Sequence, residues 1–325
     1  MKLAILGAGM IVKDFLQMVA DIPSIDLKAL LSSERSLEKN QKLAQEYNIG
    51  TVYTDLDTLL DETNIDTVYV ALPNHLHYEY SKQSLLAGKH VICEKPFTLK
   101  SSELEELVAI ATDKQLILIE AITNQYLANY RQLKEDIDHL GEIRLIECNY
   151  SQYSSRYDVF KAGQILPAFN PKMGGGALMD INVYNIHLVV GLFGRPESVT
   201  YYANVQKDID TSGMLILQYL DKIAVCIGSK DTSAPIKSTI QGRDGSIIIN
   251  GPTNTLKSYT TVERDKTESH TELTTHPHRM YEEFVEFERI ISQLDFKASQ
   301  ERLDHSLNVM TVLDQALESA NLKLG

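Results

Sequence analysis

Cysteine is scarce in this sequence, and its three cysteines show no metal-binding or redox spacing. Cys93, Cys148 and Cys226 are scattered, with no CxxC pattern and no histidine at ligand spacing. The sequence therefore predicts neither a metal site nor a disulfide framework. Because Cys93 and Cys226 lie in apolar runs typical of strands, we expect buried thiols in a protein of a reducing compartment.

Positive charge and long hydrophobic runs are scarce as well. The chain has 31 Lys and Arg residues against 44 Asp and Glu, a formal net charge of −13. An acidic surface repels phosphate backbones and anionic lipid, which argues against nucleic acid or a membrane as the partner. No stretch reaches the roughly 18 apolar residues of a membrane span, and the N-terminus has no signal-peptide layout. We therefore expect a cytoplasmic protein.

No linker and no internal repeat divides the chain, so its organisation has to be inferred from the apolar pattern. Over the first 120 residues, short apolar runs alternate with amphipathic stretches of helical periodicity, which is typical of parallel βαβ units. Runs such as VYVAL are apolar almost without a break, as strands covered on both faces should be. The predicted strands are Lys2–Leu6, 27–31, 67–71, 90–93 and 116–119, and the predicted helices are 11–21, 36–47, 55–62, 75–87 and 101–113.

The pattern changes after residue 121. A helix at 124–139 precedes strand candidates at 142–150, 198–205, 213–219, 224–228, 238–242 and 246–250, with further helices at 176–192, 279–294 and 302–321. Two pairs of these strands flank the short turns LDK and RDG, which is typical of hairpins in an antiparallel sheet. The sequence thus predicts an α/β protein of two domains. Residues 1–121 form a doubly wound Rossmann domain, and residues 122–325 form a substrate-binding and oligomerisation domain of α+β type with a mostly antiparallel open sheet.

The first strand runs into a glycine-containing turn, GAGMIV. A dinucleotide turn needs one glycine for the tight bend and a second for the approach of the pyrophosphate to a helix N-terminus. Gly7 and Gly9 meet these needs, whereas Val12 replaces the third glycine of the pattern. The position after a strand and before a helix favours a nucleotide-binding turn that includes Met10 and Ile11. An ordinary βα turn, or the related turn of a methyltransferase, remains the alternative.

The tip of the second strand bears on the choice between NAD and NADP. NAD enzymes usually carry an acidic residue there for the ribose hydroxyls, whereas a nearby arginine accommodates a 2′-phosphate. Ser32, Ser33 and Arg35 are the candidate contacts and favour NADP slightly. Glu34 would favour NAD if its side chain pointed inward, and Arg35 is equally well interpreted as a solvated residue at a helix start.

Two later strands end in the polar motifs LPNHLH and EKP. Ligands bind at the carboxyl ends of strands in an open parallel sheet, so both motifs are candidate cofactor contacts. Asn74 would also serve as the N-cap of helix 75–87. His75 and His77 have no metal-like partner, which favours a surface or capping role. The residues assigned to the cofactor end here are Leu72, Pro73, Asn74, His77, Glu94 and Lys95.

Lys95 and the motif GGGALMDINVYNIH supply the candidate catalytic groups. A lysine at this strand end is poorly explained by packing, although a solvated loop lysine is the usual alternative. Asp180, Tyr184 and His187 are spaced i, i+4 and i+7, which places them on one face of a helix. The alternative is an aspartate favoured by the helix dipole, with the two rings as buried core residues.

Together these motifs resemble the Gfo/Idh/MocA oxidoreductases over nearly the whole chain. The resemblance rests on GAGMIV, ALPNHLH, AGKHVICEKP and GGGALMDINVYNIH, in this order and spacing. It implies that Lys95 is the catalytic lysine of the family, in a turn that permits a cis bond to Pro96. Several members have histidine at the position of Tyr184, whereas the branch with glucose–fructose oxidoreductase and dihydrodiol dehydrogenase has tyrosine, as here.

By this resemblance the chain is an NAD(P)-dependent oxidoreductase that transfers a hydride between nicotinamide and a carbinol or carbonyl carbon of a sugar, polyol or cyclic diol. Tyr184 exchanges the proton, and the ammonium of Lys95 stabilises the oxyanion and lowers the phenol pKa from its usual value of about 10. Asp180 fixes the substrate hydroxyl or the Lys95 head group. His187 is a substrate contact or a partner behind those contacts.

Two further expectations complete the prediction. The alternative function is a non-catalytic, dinucleotide-sensing regulatory or binding protein of the same fold, which would have no need of Lys95, Asp180 and Tyr184. The open face of the second sheet predicts a homo-oligomer, a dimer or larger, since such sheets often pair across a two-fold axis.

Overall fold

The computed structural model describes residues 1–325, which divide into two compact units. The first unit contains Met1–Ala121 and Glu283–Asp304, and the second contains Ile122–Glu282 and His305–Gly325. The α-helices, in chain order, are α1 Met10–Leu16, α2 Leu37–Glu46, α3 Leu56–Leu60, α4 His77–Leu86, α5 Ser101–Asp113, α6 Ala128–Asp136, α7 Tyr157–Lys161, α8 Val183–Phe193, α9 Tyr281–Ser292 and α10 Phe296–Ser319.

The first unit is built on a parallel sheet of six strands. They are β1 Lys2–Leu6, β2 Asp26–Leu31, β3 Thr51–Tyr53, β4 Thr67–Val70, β5 His90–Glu94 and β6 Leu118–Ala121. Their order is β3-β2-β1-β4-β5-β6, and every neighbouring pair is parallel. This is the predicted doubly wound Rossmann sheet, in which the order of strands reverses direction between β1 and β4.

Burial explains which of these strands the sequence revealed. All four residues of β4 are buried, as are the last four of β1, so both strands are continuous apolar runs. The short edge strand β3 was not predicted, because none of its three residues is fully buried and they form no apolar run. Strand β6 begins at Leu118, two residues later than predicted, and extends through the buried Glu120.

The segment Glu283–Asp304 departs from the predicted division at residue 121, because it packs with the first unit. The ring of Phe284 in α9 lies 4.4 Å from that of Phe15 and 5.2 Å from that of Tyr69, centroid to centroid. Ser299 donates a hydrogen bond to the carbonyl of Leu118 in β6. Contacts over such a distance along the chain leave no local signal, so the sequence did not reveal this return.

The second unit is built on an eight-stranded sheet. Its strands are β7 Ile143–Ser151, β8 Ser198–Gln206, β9 Ile209–Gln218, β10 Ile223–Ser229, β11 Lys237–Gly242, β12 Gly245–Asn250, β13 Tyr259–Glu263 and β14 Glu268–Thr271. The order is β14-β13-β12-β11-β7-β10-β9-β8. Only β7 and β10 pair in parallel, which confirms the mostly antiparallel sheet.

Both predicted hairpins are present. Strands β9 and β10 pair with Gln218 opposite Ile223, and β11 and β12 pair with Gln241 opposite Ser246. Strands β13 and β14 were not predicted. The second of them, with the sequence ESHT, is largely exposed and has no apolar residue that would indicate a strand.

One face of this sheet is buried and the other is open. On β9 and β10 the alternate residues Leu215, Leu217, Ala224 and Cys226 are fully buried. Their neighbours point the other way, and Met214 is 52% exposed. Further exposed apolar side chains on strands of the same sheet are Leu145, Tyr202 and Ile223. All three cysteines of the chain are buried, as predicted for Cys93 and Cys226.

One buried segment corrects an expectation from the sequence. Pro171–Phe193 is long and apolar enough to cross a membrane by length and composition, although no such stretch was predicted. In the structure 72% of its most apolar window is buried. Since the core helix of a globular fold has the same composition, burial accounts for the apolar character of this segment.

Candidate active site

The glycine turn after β1 has the geometry that a dinucleotide requires. Gly7 has φ +104°, and a Cβ on it would lie 2.7 Å from the carbonyl oxygen of Ala71, the residue after β4. Only glycine satisfies both constraints. Gly9 precedes α1, and a Cβ placed there would have no atom within 4 Å. Gly9 and Met10 are exposed, so the start of α1 is open to a ligand; Val12, in place of the third glycine, is fully buried.

At the tip of β2, the two serines differ in environment. Ser32 is buried, and its hydroxyl accepts a hydrogen bond from Asn40 at 2.9 Å while donating to the carbonyl of Ser33. Ser33, Glu34 and Arg35 are exposed. Asn40, which the sequence analysis missed, therefore engages one of the two predicted hydroxyls, and the exposed positions 33 to 35 are the ones open to a ribose or its phosphate.

After β4, His77 occupies a different position from the one expected. It is fully buried, so the predicted surface or capping role is wrong. Its Nε2 lies 2.8 Å from the carbonyl oxygen of Leu72, and its Nδ1 lies 2.8 Å from that of Pro96. The imidazole thus connects the turn after β4 with the turn after β5.

Asn74 does not cap a helix through its side chain. It is the first residue of a 3₁₀ turn, Asn74–Leu76, whose N-cap position is Pro73, and α4 begins only at His77 with Leu76 before it. Neither start has a side-chain capping bond. The alternative role considered for Asn74 is therefore wrong, and its partly exposed side chain remains a candidate cofactor contact.

The turn after β5 is held by two buried carboxylates. Tyr69 of β4 donates a hydrogen bond from its hydroxyl to Glu94 at 2.5 Å. Glu94, a predicted cofactor contact, thus has a buried partner on the neighbouring strand. The backbone amide of Phe97 donates to Glu120 at 3.1 Å. The peptide bond between Lys95 and Pro96 is cis, as the turn permits. Lys95 is partly exposed between these anchored neighbours.

The positive charge of Lys95 affects the ionisation of the His77 ring. Burial lowers the pKa of His77, and the ammonium of Lys95 lowers it further, while the two carbonyls and Glu120 oppose this change. A neutral ring is therefore favoured in the folded protein.

The register of the sheet brings the predicted cofactor residues of the first unit to one edge. Leu6 of β1 lies opposite Leu31 of β2 and Val70 of β4, and Val70 lies opposite Cys93 of β5. The residues at the ends of these strands and directly after them therefore share the carboxyl edge, where open α/β sheets bind ligands. They are Gly7, Gly9, Ser32, Ser33, Leu72, Pro73, Glu94 and Lys95.

In the second unit, the helix with the other candidates is not regular. Residues Leu178–Asn182 form a π-helical turn before α8. A π turn has more residues than an α turn, so the angle between Asp180 and the α8 residues differs from that of the predicted continuous helix 176–192. Such turns occur often at functional sites. Asn182 donates to the carbonyl of Cys226 at 3.0 Å and so ties the turn to β10.

The start of this helix is fixed by Asp210 on β9. Its carboxylate accepts hydrogen bonds from the Leu178 amide at 2.6 Å and from the Tyr201 hydroxyl at 2.8 Å. A Cβ on Gly176, which has φ +107°, would lie 2.1 Å from Asp210 Oδ1. Burial raises the pKa of Asp210, and the bonds from Leu178 and Tyr201 oppose that shift. The third glycine of GGGALMD therefore makes room for the anion at the helix N-terminus.

Asp180 forms an ion pair that the sequence did not reveal. Its Oδ2 lies 2.7 Å from Nζ of Lys230, a lysine just after β10 whose side chain is 3% exposed, whereas that of Asp180 is 35% exposed. Nothing in the local sequence, GSKDTSAP, marks this lysine as a partner of a residue 50 positions earlier.

Tyr184 and His187 lie on α8 in different surroundings. Tyr184 is 8% exposed, and its ring centroid lies 6.3 Å from that of Tyr150. His187 is fully buried, with Nδ1 2.9 Å from Nε2 of His305. Because His187 is buried, this environment favours a role in supporting the residues that contact substrate over direct contact with the substrate. His305 is a further residue that the sequence analysis missed.

Comparison with known proteins agrees with the motifs. A model of the GFO/IDH/MocA oxidoreductase family with an NAD-binding Rossmann fold matches residues 1–122, and a model of the GFO/IDH/MocA C-terminal domain matches residues 130–248. The scyllo-inositol 2-dehydrogenase (NADP(+)) IolU of Bacillus subtilis (strain 168) is 34% identical to the chain, over 97% of this chain and 95% of that protein.

A further curated protein and a solved structure are similar in sequence and in fold, respectively. Trans-1,2-dihydrobenzene-1,2-diol dehydrogenase of Xenopus tropicalis is 29% identical over 76% of this chain and 74% of that protein. The 3-ketoreductase KijD10 from Actinomadura kijaniata, solved in complex with NADP and TDP-benzene, shares the fold with a TM-score of 0.84 at 22% identity, over 98% of this chain and 97% of that one. The family predicted from the motifs is confirmed: the chain belongs to the GFO/IDH/MocA family of NAD(P)-dependent oxidoreductases.

Proposed function

We propose that this chain interconverts a carbinol and a carbonyl in a polyol, sugar or cyclic diol, with NADP or NAD as the hydride acceptor or donor. The observation that carries the proposal is the 34% identity to a scyllo-inositol 2-dehydrogenase along almost the full length of both chains. The presence of Lys95, Asp180 and Tyr184 in the motifs described above supports a catalytic role over a purely dinucleotide-sensing one.

Each of these residues has a role in the proposal. Bound nicotinamide supplies the hydride chemistry. Tyr184 donates or accepts the proton of the substrate oxygen, and Lys95 stabilises negative charge that develops on that oxygen. Asp180 accepts a hydrogen bond from a substrate hydroxyl. His187 supports the position of α8 through its contact with His305.

The proposed cofactor site occupies the carboxyl edge of the first sheet. Gly7 allows the bend, and the open backbone at Gly9, Met10 and Ile11 would approach the pyrophosphate. Residues of the turns after β4 and β5 would flank the nicotinamide; these are Leu72, Pro73, Asn74, Glu94 and Lys95, with His77 holding both turns from inside.

NADP is the preferred cofactor in this proposal. Ser33 and Arg35 are exposed at the tip of β2, where a 2′-phosphate would lie, and no aspartate follows that strand directly. A guanidinium forms strong charge-assisted hydrogen bonds with phosphate. Ser32 contributes by fixing the backbone of the tip through Asn40.

Two measurements test the function. Fluorescence titration with NADPH and NADH should show binding of both, with NADPH the tighter. A panel of scyllo-inositol, myo-inositol, aldoses and cyclic trans-diols, with NADP⁺ and NAD⁺, should show reduced nicotinamide by absorbance for at least one neutral polyhydroxylated compound. Tight dinucleotide binding without turnover in either direction would support the non-catalytic alternative, and failure to bind either dinucleotide would contradict the proposal as a whole.

A second copy of the chain is the proposed partner, as a dimer or larger assembly. The open face of the eight-stranded sheet presents Leu145, Tyr202, Met214 and Ile223, between 36% and 67% exposed. Register places Tyr202 opposite Met214 and Ile223 opposite Leu145, so these side chains form two cross-strand pairs. The pairs lie four residues apart along β10, because Met214 is opposite Ile227. An apolar sheet face of this kind favours a self-complementary interface.

A further inference from the structure

Lys230 is a buried cation that the proposed mechanism does not use. The residue is 2% exposed. A lysine buried to this extent is costly unless the structure supplies compensating partners, and a packed apolar side chain of similar volume is often as stable or more so. The question is therefore what this ammonium does at its position.

Three groups surround the ammonium of Lys230. Its Nζ donates to the carbonyl oxygen of Ala168, lies 2.7 Å from Asp180 Oδ2, and lies 4.3 Å from the ring centroid of Phe169. A carboxylate, a carbonyl and an aromatic face are all favourable partners for a cation. The three donors of an ammonium therefore have three partners within the second unit, which leaves Lys230 poorly suited to bind a substrate itself.

The backbone of Lys230 is held on both sides. Its amide donates to the carbonyl of Thr211 on β9 at 2.9 Å, and its carbonyl accepts from the amide of Ser154 at 2.8 Å. The next residue, Asp231, accepts hydrogen bonds from the hydroxyls of Thr211, Ser212 and Ser229. These bonds fix the backbone from which the Lys230 side chain extends to Asp180.

The partner of this lysine is less buried than the lysine itself. The Asp180 side chain is 35% exposed and lies on the π-helical turn, whereas the Lys230 side chain is 3% exposed. Within this ion pair the ammonium is therefore buried, whereas the carboxylate is accessible to solvent. The orientation of the Asp180 carboxylate is set by Lys230, whose side chain solvent and substrate do not reach.

We propose that Lys230 is a positioning residue for catalysis, which holds the Asp180 carboxylate in one orientation for a hydrogen bond from the substrate. This inference rests on the proposed role of Asp180. Lys230 acts through Asp180 and not on the substrate. It binds a residue of the π turn through its side chain, as Asp210 binds the Leu178 amide at the start of that turn.

A double-mutant cycle tests this role. The variants are Lys230→Met, which keeps the length of the side chain without its charge, Asp180→Asn, and the double variant. In the wild-type background Lys230→Met should lower kcat by about 10- to 100-fold, since a misplaced contact group has an effect of that size. In the Asp180→Asn background the same change should alter kcat by no more than about 3-fold, because the group that Lys230 orients is already changed.

Three controls separate this role from general damage to the fold. NADPH affinity should stay within about 3-fold in all variants. Lys230→Arg, which retains the charge, should lose less activity than Lys230→Met. Lys207→Met is the control: Lys207 donates to the carbonyl of Phe160 and lies 4.7 Å from that ring, contacts of the same kind made by an exposed lysine. Its loss should leave kcat unchanged.

The outcomes are distinct. Equal losses from Lys230→Met in both backgrounds, or full activity of Lys230→Met, would overturn the inference while leaving the proposed oxidoreductase function intact. Inactivity of the wild-type protein on every substrate and cofactor would instead contradict the proposed function. If Lys230→Met fails to fold, the double variant against Asp180→Asn gives the deciding comparison, since neither leaves a new unpaired carboxylate: similar activity supports the inference, and a further large loss overturns it.

Discussion

The Nδ1 atom of His77 lies 2.8 Å from the carbonyl oxygen of Pro96, the residue after Lys95. The other ring nitrogen lies at the same distance, 2.8 Å, from the carbonyl oxygen of Leu72. A neutral imidazole carries one N–H and donates to one carbonyl, whereas an imidazolium donates to both. Burial and the charge of Lys95 lower the pKa of His77, whereas the bonds to the two carbonyls raise it. Because the net pKa is lowered in the folded protein, protonation of this ring is linked to stability.

The stability of the protein should fall as pH decreases below about 6.5, the usual pKa of histidine. Below that pH the unfolded chain takes up a proton at position 77 that the folded chain, with its lowered pKa, does not. The contribution is at most about 1.4 kcal/mol per pH unit and ends at the folded-state pKa. Melting temperatures between pH 7.5 and 5.5 should therefore decline less steeply in His77→Gln than in the wild type.

His90 adds a second part to the same slope, since burial lowers its pKa too. Some slope should thus persist in His77→Gln. The exposed His139 provides the control, and His139→Gln should leave the slope unchanged. Parallel pH profiles for wild type and His77→Gln would contradict the assigned ionisation of His77.

Lys95→Ala and Tyr184→Phe should separate chemistry from binding. Both variants should bind NADPH within a few-fold of the wild type and lose about 10²- to 10⁴-fold in kcat, the range for a proton-transfer group. Steady-state kinetics with the best substrate of the panel, together with NADPH titration, measure both effects. Tyr219→Phe is the control, because that buried tyrosine donates to the carbonyl of Gly194. Normal turnover of Lys95→Ala would rule out its catalytic role.

Arg35→Ala should reduce the preference for NADP. The KM for NADPH should rise by about 10-fold or more, as expected for loss of a hydrogen bond to a charged group, while the KM for NADH stays within about 2-fold. Lys39, exposed on α2, gives a matched loss of positive charge in Lys39→Ala, which should change neither value. Equal effects of Arg35→Ala on both cofactors would indicate that Arg35 does not contact a 2′-phosphate.

Gly176→Ala should destabilise the protein more than Gly163→Ala. Both glycines have positive φ, +107° and +102°, but a Cβ at 176 would lie 2.1 Å from Asp210 Oδ1 and one at 163 would have no atom within 4 Å. Gly163→Ala should lower the free energy of unfolding by about 1–2 kcal/mol from the backbone alone. Gly176→Ala should cost at least about 2 kcal/mol more. Denaturant titration compares them, and equal losses would show that Asp210 moves aside freely.

Met214→Glu should weaken self-association. A carboxylate among the exposed apolar side chains of this sheet face is poorly accommodated against a second copy. Light scattering after gel filtration should give at least twice the chain mass of 36.5 kDa for the wild type and a shift towards that mass for Met214→Glu. Leu86, also 52% exposed but on α4, is the control as Leu86→Glu. A wild type that elutes as a monomer would disprove the proposed assembly.

Local signals were sufficient for much of the fold and for part of the site. The buried strands β1, β4 and β5 are apolar runs with polar residues at their carboxyl ends, so the sequence located Gly7, Pro73 and Lys95 at one edge. The hairpins were evident from short turns between alternating strands. The sequence also predicted Asp180 and Tyr184 as neighbours on one helix, although a π turn changes the angle between them.

Residues that act through distant contacts could not be predicted in this way. Lys230, Asp210 and His305 lie between 30 and 120 positions from Asp180, Leu178 and His187, respectively, which they contact. His77 was placed at the surface because its carbonyl partners, the backbone of Leu72 and Pro96, have no residue-specific signature. Backbone acceptors and long-range ion pairs are invisible to motif and periodicity, which report only neighbours along the chain.

The return of Glu283–Asp304 to the first unit bears on how the chain is made. Phe284 completes the aromatic cluster with Phe15 and Tyr69, so the nucleotide-binding half lacks part of its core until the ribosome has passed residue 304. Domains usually fold during synthesis from the N-terminus onward. Here the half that is translated first is completed only near the end of synthesis, and a chain that ended before residue 283 would leave the rings of Phe15 and Tyr69 without Phe284.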